Sequence, residues 1–374
     1  MNKSVILILA LLAVFSLPAL RVDITVAAPS LQGNLVHSST EQPVVVCLPP
    51  SYQQDASRHY PVLYLLPGFR ITQEQFFNGY YSGMNLDAAL DSLYAAQEIA
   101  EMIVVVVPAT NALGGHFYVN SEVTGNWEDF VCHDLVAYID ATYRTIDAPT
   151  GRALCGSSMG GFGALNLAMK HPDFFSCCYA LAPGIYAPDG LRSQAFLVSA
   201  NWHKELYAQQ ARFDSLDAET AHTAYLAFAD SLQQRDRRYW FLWLFTYAYG
   251  AAFAPQTAHP PYIRYPLFYK AKYDDLLIDP EVVNLYENGF GNWETKRALY
   301  AANLRKLTGI AIDYGSADTN RWIPDGCIFL ASLLKKHAIE HELYSHPGGH
   351  EDALKERLLG HALPWISTHL HPAK

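Results

Sequence analysis

The run Ala153-Leu154-Cys155-Gly156-Ser157-Ser158-Met159-Gly160-Gly161 constrains this chain more than any other segment. Its first three residues suit a buried strand. The Gly-x-Ser-x-Gly that follows suits a turn too tight for bulky neighbours, and Gly161, Gly163 and Ala164 suit a helix that lies close to a sheet. A strand ending this way needs parallel neighbours and covering helices, and the sequence supplies both. Apolar, β-branched runs recur at 44–48, 62–66, 103–107, 177–182 and 310–313, the pattern of strands buried on both faces. Residues 128–143 start acidic and place Phe130, Val131, Leu135 and Ile139 at helical spacing, and 159–170 form a second helix stopped by His171-Pro172. The fold class is α/β: a mostly parallel sheet with helices on both faces.

The rhythm is interrupted twice. At the start, residues 5–17 are apolar except for Ser16, and Pro18 ends the stretch. That is too short to span a bilayer and reads as the apolar part of a signal peptide over 1–20, with Ala19 suited to precede the cut. Secretion or export to a periplasm is expected. In the middle, 185–300 has few strand signals, many helical ones and dense aromatics, above all Tyr239-Trp240-Phe241-Leu242-Trp243-Leu244-Phe245. It reads as a helical cap inserted between two parts of the core, 21–184 and 301–374. Its aromatics either line a substrate pocket or form the cap's own core.

Composition excludes several classes. With 51% hydrophobic and 17% charged residues the chain is not disordered. With 26 Lys and Arg against 36 Asp and Glu, its charge of −10 favours neither nucleic acid nor an anionic membrane. Four of the six cysteines, Cys47, Cys155, Cys177 and Cys178, lie in strand-like runs and read as buried, mostly free thiols.

The chemistry centres on Ser158. A serine needs a base to act as nucleophile, and in this kind of turn the chain order is Ser, acid, His. His350, in a loop after the last strand, is the leading base, with His346 as the alternative. Asp318 follows the 310–313 strand in a turn and can orient an imidazole; Asp313 reads as structural, and Asp325 is a further alternative. Gly156 and Gly160 make room at the turn. The Met159 amide faces the developing oxyanion. A second amide is expected from the loop Pro67-Gly68-Phe69-Arg70; Pro67 has no N–H, which points to Phe69. His337-Ala338-Ile339-Glu340-His341 fits an inverted zincin pattern, but the helix reads as ending near His337 and 339–344 as the last strand. Residues four apart on a strand are separated by about 13 Å, too far for one metal. No metal or cofactor is expected.

These motifs also carry a resemblance. Leu48-Pro49-Pro50-Ser51-Tyr52, Tyr60-Pro61-Val62-Leu63-Tyr64-Leu65-Leu66, Gly125-Asn126-Trp127-Glu128-Asp129-Phe130, Tyr143-Arg144-Thr145, the Gly156 to Ala164 stretch and His171-Pro172-Asp173-Phe174-Phe175 resemble the putative esterase (esterase D-like) family of α/β-hydrolases. That family includes S-formylglutathione hydrolases, feruloyl esterases, enterobactin esterases and mycolyltransferases. The resemblance covers roughly 31–184 and 303–369. It implies the α/β-hydrolase fold, Ser158 as nucleophile, Asp318 as acid, His350 as base, and Phe69 and Met159 as oxyanion amides. This chain departs from its relatives in having Pro67-Gly68 where they usually have His-Gly, and in lacking an aromatic just after His350. The expected activity is hydrolysis of a small-molecule or carbohydrate-linked ester through an acyl-enzyme. The alternatives are acyl transfer to a sugar or other alcohol, and a binding module without catalysis.

Overall fold

The apolar runs assemble into one eight-stranded sheet in the order β1-β2-β4-β3-β5-β6-β7-β8. In this computed structural model, which describes residues 18–194, 199–234, 239–270 and 275–370, the strands are β1 (Leu20–Ala27), β2 (Glu41–Leu48), β3 (Val62–Leu66), β4 (Ile103–Val106), β5 (Arg152–Ser157), β6 (Cys177–Leu181), β7 (Gly309–Gly315) and β8 (Glu342–His346). β2 is antiparallel to both β1 and β4; every other pairing is parallel. β3 to β6 are buried along their whole length, which accounts for the apolar runs they carry.

Alternation of side chains across each strand divides the core in two. Tyr64, Leu66, Val105 and Leu154 face α2 (127–142, with a π-helical turn at Phe130–Leu135), α3 (Met159–Lys170) and α9 (Trp322–Lys336). Leu63, Leu65, Val104 and Cys155 face α1 (Leu86–Ala95) and α10 (354–369). All six cysteines are buried and free. The fold is the α/β arrangement expected from the sequence.

Two strands differ from expectation. β1 was hidden by the reading of 1–20 as a leader. It is an edge strand whose partly solvated faces carry Arg21, Asp23 and Thr25 between apolar residues, a weaker signal than a buried run. Of the expected leader, residues 1–17 lie outside the described residues. The last strand was expected at 339–344, but Ile339 instead closes the end of α9. Ala338 takes a left-handed φ of 51°, and the Ile339 N–H donates to Leu334 O at 3.0 Å, so the strand starts three residues later. His337 ends α9 and His341 precedes β8, so the two share no helical face.

Between β6 and β7 the chain forms α4 (Ala200–Asp214), α5 (Ala218–Gln233), α6 (Tyr239–Phe253), α7 (Pro280–Phe290) and α8 (Trp293–Leu299). Ser199, Asp217 and Asp279 cap α4, α5 and α7 by accepting first-turn N–H groups. The segment is not wholly helical, as the sequence suggested: Leu267–Lys270 pairs antiparallel with Asp275–Ile278. No described helix is long and apolar enough to cross a membrane.

Candidate active site

β5 runs straight into α3 through Ser158, which adopts φ 55° and ψ −114°. This is a strained backbone for a residue with a Cβ. Contacts that leave no slack hold it there. The Ser158 N–H donates to Leu181 O at 2.9 Å, and the Gly184 N–H donates to Ser158 O at 2.9 Å. A Cβ on Gly160 would lie 1.9 Å from Leu66 O, and one on Gly156 would lie 2.3 Å from Gly160 O. Both glycines are therefore required by β3 and by each other, and the Ser158 hydroxyl is lifted to the carboxyl edge of the sheet.

The two C-terminal loops meet at the same edge. The Ser316 N–H donates to His346 O at 2.8 Å and the Ala317 N–H to Gly348 O at 3.1 Å, so the loop after β7 lies along the loop after β8. Asp318 and His350 are thereby brought together. His350 Nδ1 is 2.8 Å from Asp318 Oδ2, and His350 Nε2 is 3.0 Å from Ser158 Oγ. The Asp318 side chain is fully buried, and its other oxygen accepts the Asn320 N–H at 2.7 Å. A carboxylate at Nδ1 places the imidazole proton there and leaves Nε2 free to accept the serine proton. The alternatives lie elsewhere. His346 Nδ1 accepts the Gly348 N–H, Asp325 sits in the first turn of α9, and Asp313 is bound by Tyr179 and Arg357.

Phe69 and Met159 line the same cleft as Ser158. Among the described residues neither amide donates to a protein acceptor, so both remain available to an oxyanion. The loop holding Phe69 is braced where the usual histidine is missing. The Tyr118 hydroxyl donates to Pro67 O at 2.8 Å, and the Arg70 N–H donates to Gly114 O at 2.9 Å. A Cβ on Gly115 would lie 2.6 Å from the Phe69 ring and 2.7 Å from Met159 Sδ. At Gly114-Gly115, a loop turn by sequence, the backbone lies against the side chains of both Phe69 and Met159 with no room for a Cβ. Paired glycines in a loop are the one signal that marked it. Tyr118 is itself fixed by His116, whose Nδ1 accepts the Tyr118 N–H at 3.2 Å. Nε2–H of His116 then donates to Pro108 O at 3.1 Å, and the ring stacks on Trp127 at 3.6 Å. Burial pushes this imidazole down to about 3. Trp127 and Tyr118 thus have packing and bracing roles behind the cleft. One contact had no sequence signal at all: the Tyr81 hydroxyl lies 2.8 Å from Ser157 Oγ beside the elbow.

The cleft has a volume of about 530 Å³, within the usual range for small-molecule sites. Ser158 and His350 lie in it. Phe241 and Phe245 of α6 and Phe290 of α7 form an apolar wall with Phe69, while Arg70, Gln194, Asn320 and Glu351 supply polar groups. The aromatics between β6 and β7 therefore divide between two uses. One side of α6 reaches the cleft; Trp243 and Tyr247 on the other pack against Phe228 and Tyr225 of α5.

Comparison with known proteins agrees with this geometry at the level of fold and family. A ferulic acid esterase matches 94% of this chain and 99% of its own, at 20% identity and a TM-score of 0.55. An S-formylglutathione hydrolase from Agrobacterium tumefaciens matches 95% of this chain and 96% of its own, at 16% identity and a TM-score of 0.53. Such distant likenesses establish the α/β-hydrolase fold. Among curated sequences, Esterase MT1326 and Esterase Rv1288 of Mycobacterium tuberculosis are each 34% identical over 135 residues, 36% of this chain. The match spans only 27% of the length of those relatives. The family described as putative esterase matches residues 38–369, which takes in the elbow, both C-terminal loops and the segment between β6 and β7. By that match the chain belongs to the putative esterase family.

Proposed function

We propose that this chain is a carboxylic ester hydrolase using Ser158 as nucleophile, His350 as general base and acid, and Asp318 to hold the imidazole. The observation that carries the reading is the continuous hydrogen-bonded line from Ser158 Oγ through His350 to Asp318 at the floor of an open cleft. His350 Nε2 takes the Ser158 proton as Oγ attacks the ester carbonyl carbon. The carbonyl oxygen becomes an oxyanion facing the Phe69 and Met159 amides. Donors of this kind contribute about 3–4 kcal/mol each to the transition state. Collapse breaks the bond to the alcohol oxygen, which receives the proton from His350, and an acyl-enzyme remains. Water then attacks with His350 again as base, and release of the acid restores Ser158.

The wall of Phe69, Phe241, Phe245 and Phe290 supports an ester with a flat or apolar group, as do the ferulic acid esterases among the structural relatives. The apolar stretch at 5–17 supports an exported protein. Cell fractionation with amino-terminal sequencing tests export: a start just after Ala19 on protein outside the cytoplasm is expected, and protein confined to the cytoplasm with residues 1–19 intact would contradict it.

Fluorophosphonate labelling with peptide mapping, alongside turnover of 4-nitrophenyl acetate, tests the mechanism. A single adduct on Ser158 is expected, with turnover falling by roughly 10⁴-fold or more in Ser158→Ala and His350→Ala. A folded protein that takes no label and turns over no ester is not a serine hydrolase.

A further inference from the structure

The segment between β6 and β7 does more than wall the cleft. Gln233, near the end of α5, touches both loops that shape the oxyanion site. Its Nε2–H donates to Ala112 O at 2.7 Å, and its backbone oxygen accepts from Arg70 Nη2 at 3.2 Å. The same Arg70 donates its backbone N–H to Gly114 O at 2.9 Å. Gln233, Arg70, Gly114 and Ala112 thus close a ring that ties the inserted helix to the two loops. Arg70 directly follows Phe69 and has a left-handed φ of 64°, a backbone state that needs outside support in a residue with a Cβ. Packing acts in the same sense. Phe69 meets Phe245 of α6 directly at 5.4 Å, and Phe117, fully buried at φ 57°, packs against both rings, at 6.1 Å from Phe69 and 5.7 Å from Phe245.

We propose that Gln233 is a positioning residue: through Ala112 and Arg70 it holds the Phe69 amide in register with the Met159 amide, so the inserted segment completes the oxyanion site. The proposal rests on the reading of Phe69 as an oxyanion donor. Misplacing an amide by a fraction of an ångström weakens transition-state binding and leaves substrate affinity nearly unchanged. A residue that only shaped the substrate wall would act on bulky esters alone.

Gln233→Leu separates the two cases, and Gln233→Met, which keeps the chain length and removes the donor, guards against a folding defect. The substrates are 4-nitrophenyl acetate, whose acyl group is a single methyl, and a long-chain 4-nitrophenyl ester with the same leaving group. The fluorophosphonate labelling rate is measured in parallel, since phosphonylation also places charge in the oxyanion site. Expected are a fall of about five- to twentyfold in kcat for both esters, a KM change under about twofold, and a matching fall in labelling rate. Unchanged acetate turnover and labelling, with loss confined to the long ester, would overturn the proposal. A folded wild-type protein that neither turns over ester nor labels would remove it together with the ester-hydrolase reading, so the two failures are told apart.

Discussion

The elbow and the helices between β6 and β7 both contribute to the core, and they are built to different tolerances. At the elbow, backbone meets backbone: Gly160 and Gly156 leave no space for a methyl group against Leu66 O and each other. Between α4, α5 and α6 the contacts are ring to ring, such as Trp202 on Trp243 at 4.5 Å and Phe228 on Trp243 at 5.4 Å. Edge-to-face aromatic packing accepts a range of distances and tilts. A carbonyl oxygen 1.9 Å from a would-be Cβ accepts none. The proposed chemistry would therefore sit on the rigid part, and the aromatic wall of the cleft could change without dismantling it.

The largest expected effect tests that contrast with one substitution in each region. Gly160→Ala drives a methyl group into Leu66 O and, at 2.7 Å, into Pro67 O. The elbow has to open, and we expect at least a hundredfold loss of ester turnover with several kcal/mol of lost stability. Gly250→Ala in α6 meets Tyr286 Oη at 2.8 Å and Ile263 Cβ at 2.9 Å; the ring can give, whereas the Ile263 Cβ moves only with its backbone. A helix interior gains about 1 kcal/mol from Gly to Ala, which offsets part of an overpacking cost of about 1–3 kcal/mol, so the net loss should stay under about 2 kcal/mol with acetate turnover nearly unchanged. Urea midpoints and acetate ester turnover decide the matter, and equal losses at the two sites would erase the distinction.

Much of this was legible in sequence where local chemistry is demanding. Ser158 announced itself because a tight strand-to-helix turn needs Gly156 and Gly160. Asp318 and His350 followed from chain order and from loops at the same end of adjacent strands. The elements around them were less visible because their roles arise only in three dimensions. Tyr118 reads as another aromatic until its hydroxyl is seen on Pro67 O. Gln233 lies 163 residues from Arg70 and 121 from Ala112, and no local pattern connects them. Ile339 looks like the start of a strand because an apolar residue closing a helix and one opening a strand are the same letter.

Proton linkage gives a second, smaller test, with one group in each region. His116, behind the oxyanion loop, falls from 6.5 to about 3 because burial disfavours the imidazolium. Between those values the unfolded chain binds a proton that the native state does not. Stability conferred by the neutral ring is full above about 6.5 and is lost as pH falls towards 3. Lys296 in α8 falls from 10.5 to about 7, first through burial and then through Lys170. Its cost is full below pH 7 and disappears as pH rises to 10.5, so stability climbs over that range. Each slope is at most about 1.4 kcal/mol per pH unit. His116→Phe should flatten the acid limb alone and Lys296→Met the alkaline limb alone in urea midpoints taken from pH 4 to pH 10. Curves that stay parallel to wild type would show that neither group is buried as described.

The smallest expected effect compares two buried tyrosines. The Tyr179 hydroxyl, on β6, donates to Asp313 Oδ2 at 2.8 Å, an oxygen that also binds Arg357. Removing that hydroxyl takes a hydrogen bond from a buried carboxylate, and Tyr179→Phe should cost about 1.5–3 kcal/mol. Tyr225 on α5 is equally buried, but among the described residues its hydroxyl has no partner. Its desolvation is uncompensated, so Tyr225→Phe should be neutral or stabilise by up to about 1 kcal/mol. The sign of the second change is the informative result. A stabilised variant means that the inserted helices pack through rings and gain nothing from that hydroxyl. A loss of 1 kcal/mol or more means that an ordered water or a shifted neighbour satisfies it, and that the insertion is built to closer polar tolerances than its ring contacts suggest.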